Sequence, residues 1–467
     1  MKPLIATVVF AILMMFAGLF TKEKRSLSNF AAILMIGLLG LNIWELIDYV
    51  VTLNDSSASP YYFEKMLRID NYGLWTNVLI SGLTLIYFLI FRDGIEKVGI
   101  HVGEYYASHF FVLCGVFLVT TYNNLLILFL GIEILSIPQY VLAGSDKRNL
   151  KSSEAALKYF LMGAFSTGIL LMGIVLLYGA MGSFELDQFN FYKNGTSTPS
   201  VIGVMGVILM MLGVGFKVSA APVHFWAPDV YDGAPTPFAS FMASIVKVGV
   251  FVAFMRLFME GFLTLDAHWK VVILSIMTVL TLVIGNFTAV YQQSVKRMLA
   301  YSSIAHAGFM LFVVIAANAE AMRGMVQYIV AYSLATVGIF FVLSKLKDYT
   351  YDGFNGLAKK EPFLAFVAAI CVLSLAGIPL TAGFFAKWYV LMAALKQDNT
   401  FWLVIFALLM AVVSAYYYFK VIMAMYFKIG EPELCAPITT IEKTMMAVIV
   451  SGIILFGVAP ELLFMWI

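Results

Sequence analysis

Apolar stretches of about 20 residues succeed one another along the chain, separated by short polar or charged segments, and none alternates with a period of two. As a helix, a run of ~20 residues crosses a ~30 Å hydrocarbon core. In lipid only helices and closed barrels satisfy their own backbone groups, and unalternating runs favour helices. The pattern predicts an all-α polytopic membrane protein of about 14 spans. They lie at roughly 3–20, 30–52, 72–91, 105–121, 122–144, 152–180, 200–229, 236–260, 268–290, 293–317, 322–346, 361–397, 400–428 and 440–464. Only the notch "TTYNN" separates the fourth span from the fifth, so 13 is the nearest competing count.

Two spans are punctuated. In the seventh, "VIGVMGVILMMLGVGFKVSAAPVHFWAPDVY", Pro222 lacks a backbone donor and clashes with the turn before it, so the helix is expected to break there. The twelfth, "FLAFVAAICVLSLAGIPLTAGFFAKWYVLMAAL", is expected to break at Gly377 and Pro379. Interrupted segments at corresponding positions point to a repeated architecture around a midplane site. The breaks lie five spans apart, and an odd-numbered repeat inverts its orientation in the membrane. Spans 4–8 and 9–13 are therefore expected to form two inverted repeats. The corresponding divisions are 1–104, 105–260 (first repeat), 261–428 (second repeat) and 429–467. Backbone groups freed at such breaks can hold water or an ion where protein surrounds them.

The cations test this topology. Loops after odd-numbered spans hold 17 lysines and arginines, against 8 at the N-terminus and in loops after even-numbered spans. The positive-inside bias puts the odd loops in the cytoplasm and both termini outside. Four of the 29 cations are left over inside spans: Lys158, Lys217, Lys247 and Lys387.

A lysine at the centre of a span costs about 2.5–3.5 kcal/mol on insertion scales. Lys247 is the most central, about eleven residues from either end of its span. Glu133 is equally central in "LLILFLGIEILSIPQYVLAG", with Pro138 predicted to kink the helix beyond it. Lys217 and Lys387 each sit beside a break. Lys158 is shallower, near the basic "DKRNLK", where snorkelling to the surface competes with burial. A structural ion pair would account for one lysine, but one carboxylate cannot neutralise three or four, so some are expected to be neutral at pH 7. A lysine that alternates between charged and neutral can carry a proton.

His306 lies midway along its span among hydroxyls, and His224 lies just past the first break. Each is a candidate relay and each could instead be structural, His224 as a cap on the helix break. His101, His109 and His268 fall near span ends and read as interfacial. Glu45 and Asp48 read as a solvated face at the outer end of the second span.

With 12% charged residues and a mean hydropathy of +0.93, the chain is no soluble globule. A net charge of +2 argues against nucleic acid. Cys114, Cys371 and Cys435 lie far apart, and no GxGxxG, P-loop or metal-ligand spacing occurs, so neither cofactor nor metal is expected in this chain. The opening "MKPLIATVVFAILMMFAGLF" has the make-up of a signal peptide but no small-residue cleavage site after it. The basic "TKEKR" that follows favours its retention as the first span.

Three stretches, "GFKVSAAPVHFWAPDVYDGAPTPFASFMASIVKVGVF", "KRMLAYSSIAHAGFM" and "LAGIPLTAGFFAKWYVL", closely resemble the antiporter-like membrane subunits of respiratory complex I, the proton-translocating NADH:quinone oxidoreductase. The resemblance covers about residues 105 to 428. It is strongest to the N type, the counterpart of mitochondrial subunit 2. Position 387 carries lysine where the M type usually has glutamate, and the sequence ends without the long lateral helix of the L type.

The resemblance implies a half-channel from the cytoplasm, a central hydrophilic axis and an exit to the outside. By motif, Glu133 would pair with and modulate Lys217, Lys247 would be the central relay lysine, and Lys387 the terminal one. Lys158 would be an additional lysine, with His224 and His306 lining the axis. It also implies a subunit without redox chemistry of its own, driven by quinone reduction elsewhere, with flavin, iron–sulfur clusters and quinone held by other subunits. Implied partners are the M-type subunit and the small K- and J-type subunits, in a bacterial inner membrane. Subunits of multi-subunit cation/proton antiporters share these motifs, and a hydrogenase-type membrane complex is a further alternative.

Overall fold

The computed structural model describes residues 1–53, 61–98, 101–191, 200–262, 265 and 267–464. Among them, 12 helices are long and apolar enough to cross a membrane. They are Lys2–Phe20, Lys24–Leu53, Asn71–Ile90, Val102–Thr121, Leu125–Ala143, Leu150–Met181, Thr236–Gly261, Ala267–Val290, Val295–Ala316, Ala319–Lys345, Phe401–Phe427 and Thr440–Val458. Two further spans are split. The seventh is Val201–Lys217 followed by Trp226–Gly233, and the twelfth is Pro362–Ala376 followed by Ala382–Leu395. This gives the 14 crossings that the hydrophobic pattern predicts.

Polar side chains set several of the boundaries. The "TTYNN" notch is a true turn: Asn124 caps the fifth span by accepting from the Leu126 amide at 2.9 Å. Asn149, Ser200, Ser294 and Asn318 cap later spans in the same way, and Thr439 with Glu442 forms a capping box on the fourteenth. The fifth helix continues through Pro138.

Burial sorts the spans into axis and rim. The most apolar windows of spans 8, 10 and 11 are 94–100% buried, whereas those of spans 1, 2 and 14 are about one-third buried. The predicted repeats have matching neighbours: span 4 packs on 5 and 8 as span 9 packs on 10 and 13, and span 6 packs on both halves of 7 as span 11 packs on both halves of 12. The face that carries the loops after odd-numbered spans is here called the basic face. Glu45 is no solvated group, because its carboxylate meets the N-terminal amine.

Span 8 has a feature that the hydrophobic pattern does not announce. It is π-helical over Met242–Val246, directly before Lys247, and again over Leu257–Gly261, directly after Arg256. Wide turns of this kind are rare within α-helices and concentrate at functional positions.

Candidate functional site

Lys247 starts the α-helical middle of span 8 and is 2% exposed. Its ammonium donates to Ser303 twice, to the hydroxyl at 2.6 Å and to the carbonyl at 2.8 Å. Tyr332, on span 11, donates to the same hydroxyl at 2.9 Å and leans its ring against His306, tilted by 43° with ring centroids 4.9 Å apart. His306 is bracketed by two phenols: Nδ1 lies 2.7 Å from the Tyr328 hydroxyl and Nε2 lies 3.0 Å from that of Tyr418. Tyr418 also bonds Ser302. Four spans thus converge on one polar thread in the most deeply buried layer. Serine and tyrosine hydroxyls donate and accept at once, so each can pass a proton without holding charge.

Beyond His306 a cavity of about 10 Å³ is lined by Tyr328, Tyr332, Ser374, Gly383 and Ala386. It has room for about one water molecule. Lys387 follows Ala386 on the second half of span 12. Its ammonium donates to the Ala376 carbonyl at 2.8 Å and lies 4.9 Å from the Phe309 ring centre. Pro379 and the left-handed Gly377 (φ +83°) prevent the helix from continuing, which leaves that carbonyl for the lysine. The Gly383 amide donates to Ser374 Oγ at 3.2 Å, and Gln327 donates to Ala382 and Phe456 carbonyls, tying the break to spans 11 and 14.

The first break is built differently. Lys217 is the last helical residue before it, and its ammonium reaches across to span 5, to Ser136 Oγ at 2.8 Å and Tyr140 Oη at 3.1 Å. The break is held by the Ala221 amide donating to Thr281 and by the Trp226 indole donating to the Phe216 carbonyl. Here the expected contact with Glu133 is corrected. Glu133 lies on the same face of span 5 as Ser136 and Tyr140, in electrostatic range of Lys217, but the two form no ion pair. The hydroxyls one and two turns along occupy the place that a carboxylate would take.

Lys158 is not on the thread. It is 42% exposed and joins an ionic cluster near the basic face, 2.8 Å from Glu154 and 2.9 Å from Asp229, which also receives Arg297 at 3.0 Å. Asp229 belongs to the second half of span 7, so this cluster clamps that half to both repeats. His224 stays in the first break, its ring tilted against that of Phe225 with centroids 4.4 Å apart, and its buried Nδ1 has no hydrogen-bond partner among the described residues. His109 is not interfacial. It is fully buried in a cage of Tyr87, Phe88, Tyr105 and Phe241, 3.3 Å from the Tyr87 hydroxyl. His101 is exposed beside Glu104, as its place at a span end predicts, and the side chain of His268 lies outside the described residues. No group of three or more His, Cys, Asp or Glu residues could hold a metal among the described residues.

Charge counting by loops missed three buried cations. Arg256 is buried against Asp70 at 2.7 Å, with Glu260 at 3.7 Å. Lys345 and Glu442 form a buried pair at 2.6 Å between spans 11 and 14. Lys296 donates to the Asp232 and Ala234 carbonyls at 3.0 and 2.7 Å, capping the second half of span 7. Each falls at a predicted span end, where a hydrophobic run cannot tell a solvated residue from one covered by a neighbouring helix.

The residues of both breaks and of the thread, Tyr418 excepted, fall within 122–414, the stretch that matches the family described as NADH:quinone oxidoreductase/Mrp antiporter, transmembrane. A full-length relative from Cytophaga hutchinsonii, named NADH-quinone oxidoreductase subunit N, is 36% identical over 99% of this chain and 98% of its own. The chain belongs to this antiporter-like membrane-subunit family. A relative of the same name from Chloroflexus aggregans is 36% identical, covering 99% of this chain and 95% of its own. Among solved structures of the family, a chain of respiratory complex I from Thermus thermophilus superposes with a TM-score of 0.83 at 28% identity, over 98% of both chains. The fold extends further, to a chain of the Mrp complex of a Dietzia species at 16% identity and TM-score 0.83, over 100% of this chain and 96% of that one.

Proposed function

We propose that the chain is a proton-translocating membrane-arm subunit of NADH:quinone oxidoreductase, carrying no redox group itself. The carrying observation is the thread from Lys247 through Ser303 and Tyr332 to His306, one small cavity away from Lys387. Relatives named as subunit N support the assignment to that complex. Flavin, iron–sulfur clusters and quinone belong to other subunits. The neighbours are the M-type antiporter-like subunit and the small K- and J-type subunits. The basic face is the cytoplasmic one in a bacterial inner membrane. Residues 105–260 and 261–428 are the two inverted repeats, so the Lys247–Ser303 bond carries the proton from one repeat to the other.

Neutral Lys247 accepts a proton and, once charged, donates through Ser303. His306, with a phenol on each nitrogen, accepts on one side and releases on the other. Water in the adjoining cavity completes the path to Lys387. Moving one proton against ~150 mV costs about 3.5 kcal/mol. A like charge roughly 8 Å away at an effective dielectric of ~20 is worth about 2 kcal/mol. At such a separation, charging one lysine would discourage charge on a neighbour by an amount of the same order as the work done. Quinone reduction elsewhere supplies the trigger, and Glu133 acts on Lys217 through the field rather than through contact. Lys158 holds the second half of span 7 in place, and His224 lines the first break.

Arginine provides the test because it keeps its proton. In the assembled complex, Lys247→Ala and Lys247→Arg are both expected to abolish NADH-driven acidification of inverted membrane vesicles. Normal acidification by the arginine variant would sink the relay and leave Lys247 as a structural cation.

A further inference from the structure

We propose that a groove on the basic face, between the ends of spans 4, 5 and 6, is a binding site for an anionic phospholipid. The groove has a volume of about 710 Å³, within the ~300–1,000 Å³ typical of small-molecule sites. Its rim and its wall differ in chemistry. Lys24, Lys97, Lys147 and Arg148 line the rim. The one carboxylate lining the groove, Glu104, lies 3.3 Å from His101. Arg148 donates to the Lys97 carbonyl at 3.2 Å and lies 3.5 Å from Asp146, and Lys24 donates to the Glu96 carbonyl at 2.8 Å. These bonds fix two cations on the rim without filling them. The ammonium groups of Lys97 and Lys147 have no hydrogen-bond or ion-pair partner among the described residues.

Towards the bilayer the wall is apolar, formed by Val141, Leu142 and Ala156 with the ring of Tyr105. Val141 is 64% exposed on the outer surface of span 5. A free phosphate would satisfy the rim and leave the wall bare. A neutral lipid would satisfy the wall and leave the Lys97 and Lys147 ammoniums unanswered. A phospholipid with net negative charge satisfies both, with its phosphate at headgroup level and an acyl chain along span 5; basic pockets between spans recognise such headgroups. Tyr140 lines the groove as well, and its hydroxyl receives the Lys217 ammonium at 3.1 Å. The bound lipid therefore covers Tyr140, and with it Lys217, on the basic side.

The test uses the whole complex, delipidated and placed in phosphatidylcholine nanodiscs, with spin-labelled phosphatidylglycerol as the probe. At roughly fivefold per cation near the surface, the triple variant Lys97→Ala, Lys147→Ala, Arg148→Ala should bind about 100-fold more weakly. It should release one immobilised phosphatidylglycerol per complex, with spin-labelled phosphatidylcholine unaffected. Inorganic phosphate at millimolar concentration should not displace the probe. Equal immobilisation in wild type and variant would overturn the site, as would displacement by phosphate or equal loss of both labelled lipids. Should the triple variant fail to assemble, Val141→Trp fills the wall with every cation intact. It too must release the lipid, and retention there would overturn the proposal.

Discussion

The two broken spans carry the same punctuation and use it in opposite ways. At the first break the lysine closes the incoming half-helix, and its ligands come from another span, the hydroxyls of Ser136 and Tyr140. At the second the lysine rides the outgoing half-helix and turns back, and its ligand is the Ala376 carbonyl that the break itself releases. The first arrangement leaves the lysine open to whatever moves span 5, the helix that also bears Glu133. The second ties the lysine to the shape of its own backbone. One lysine can thus be addressed from a neighbour, while the other is set by local geometry.

The largest expected effect tests that local geometry. A Cβ on Gly383 would stand 1.8 Å from the Ser374 carbonyl oxygen, a contact that no side-chain movement relieves. Gly383→Ala should cost more than about 3 kcal/mol and prevent assembly, read as loss of the intact complex on a native gel. Next comes Lys387→Ala, which leaves the break folded without its cation. It should lower NADH-driven proton translocation by at least about tenfold, measured in inverted vesicles, with the complex still assembled.

Gly377→Ala should be milder. It places alanine at φ +83°, with its Cβ 3.0 Å from Lys387 Cδ. The expected cost is about 1–2 kcal/mol, seen as a lower Tm of the purified complex, with reduced translocation. The smallest effect belongs to the first break. Tyr140→Phe removes one hydroxyl from Lys217 and leaves Ser136, so a loss of about 1 kcal/mol and a two- to fivefold fall in translocation are expected. An equal loss from Tyr140→Phe and Lys387→Ala would erase the distinction between the breaks.

The breaks and their lysines were legible in the sequence because proline, glycine and charge are conspicuous in an apolar run. The ligands were not. Ser136, Tyr140, Ser303 and Tyr418 are ordinary residues of membrane helices, and only the packing of spans two or three apart makes them partners. The same limit explains Glu133 and Lys217: their positions imply proximity, but a hydroxyl placed along the same helix face takes the contact. Lys158 was ambiguous on its own helix and became clear only once Asp229 and Arg297 were brought beside it. Arg256 and Lys345 show the converse, since a cation at the end of a run looks solvated until another helix covers it.

The two π-turns of span 8 have a consequence for how this chain is compared with its kin. Each holds about one residue more than an α-turn would. Forcing Met242–Val246 into α-helical turns without removing a residue would swing the segment before it about 100° around the axis relative to Lys247, whereas deleting one residue would restore an α-turn with both flanks in register. The number of residues in span 8 therefore does not by itself fix how its two halves are aimed. Alignments gapped only in loops would misplace one end of span 8 for any relative lacking the bulge, and engineering that straightens it without removing a residue would re-aim the segment before the bulge relative to Lys247.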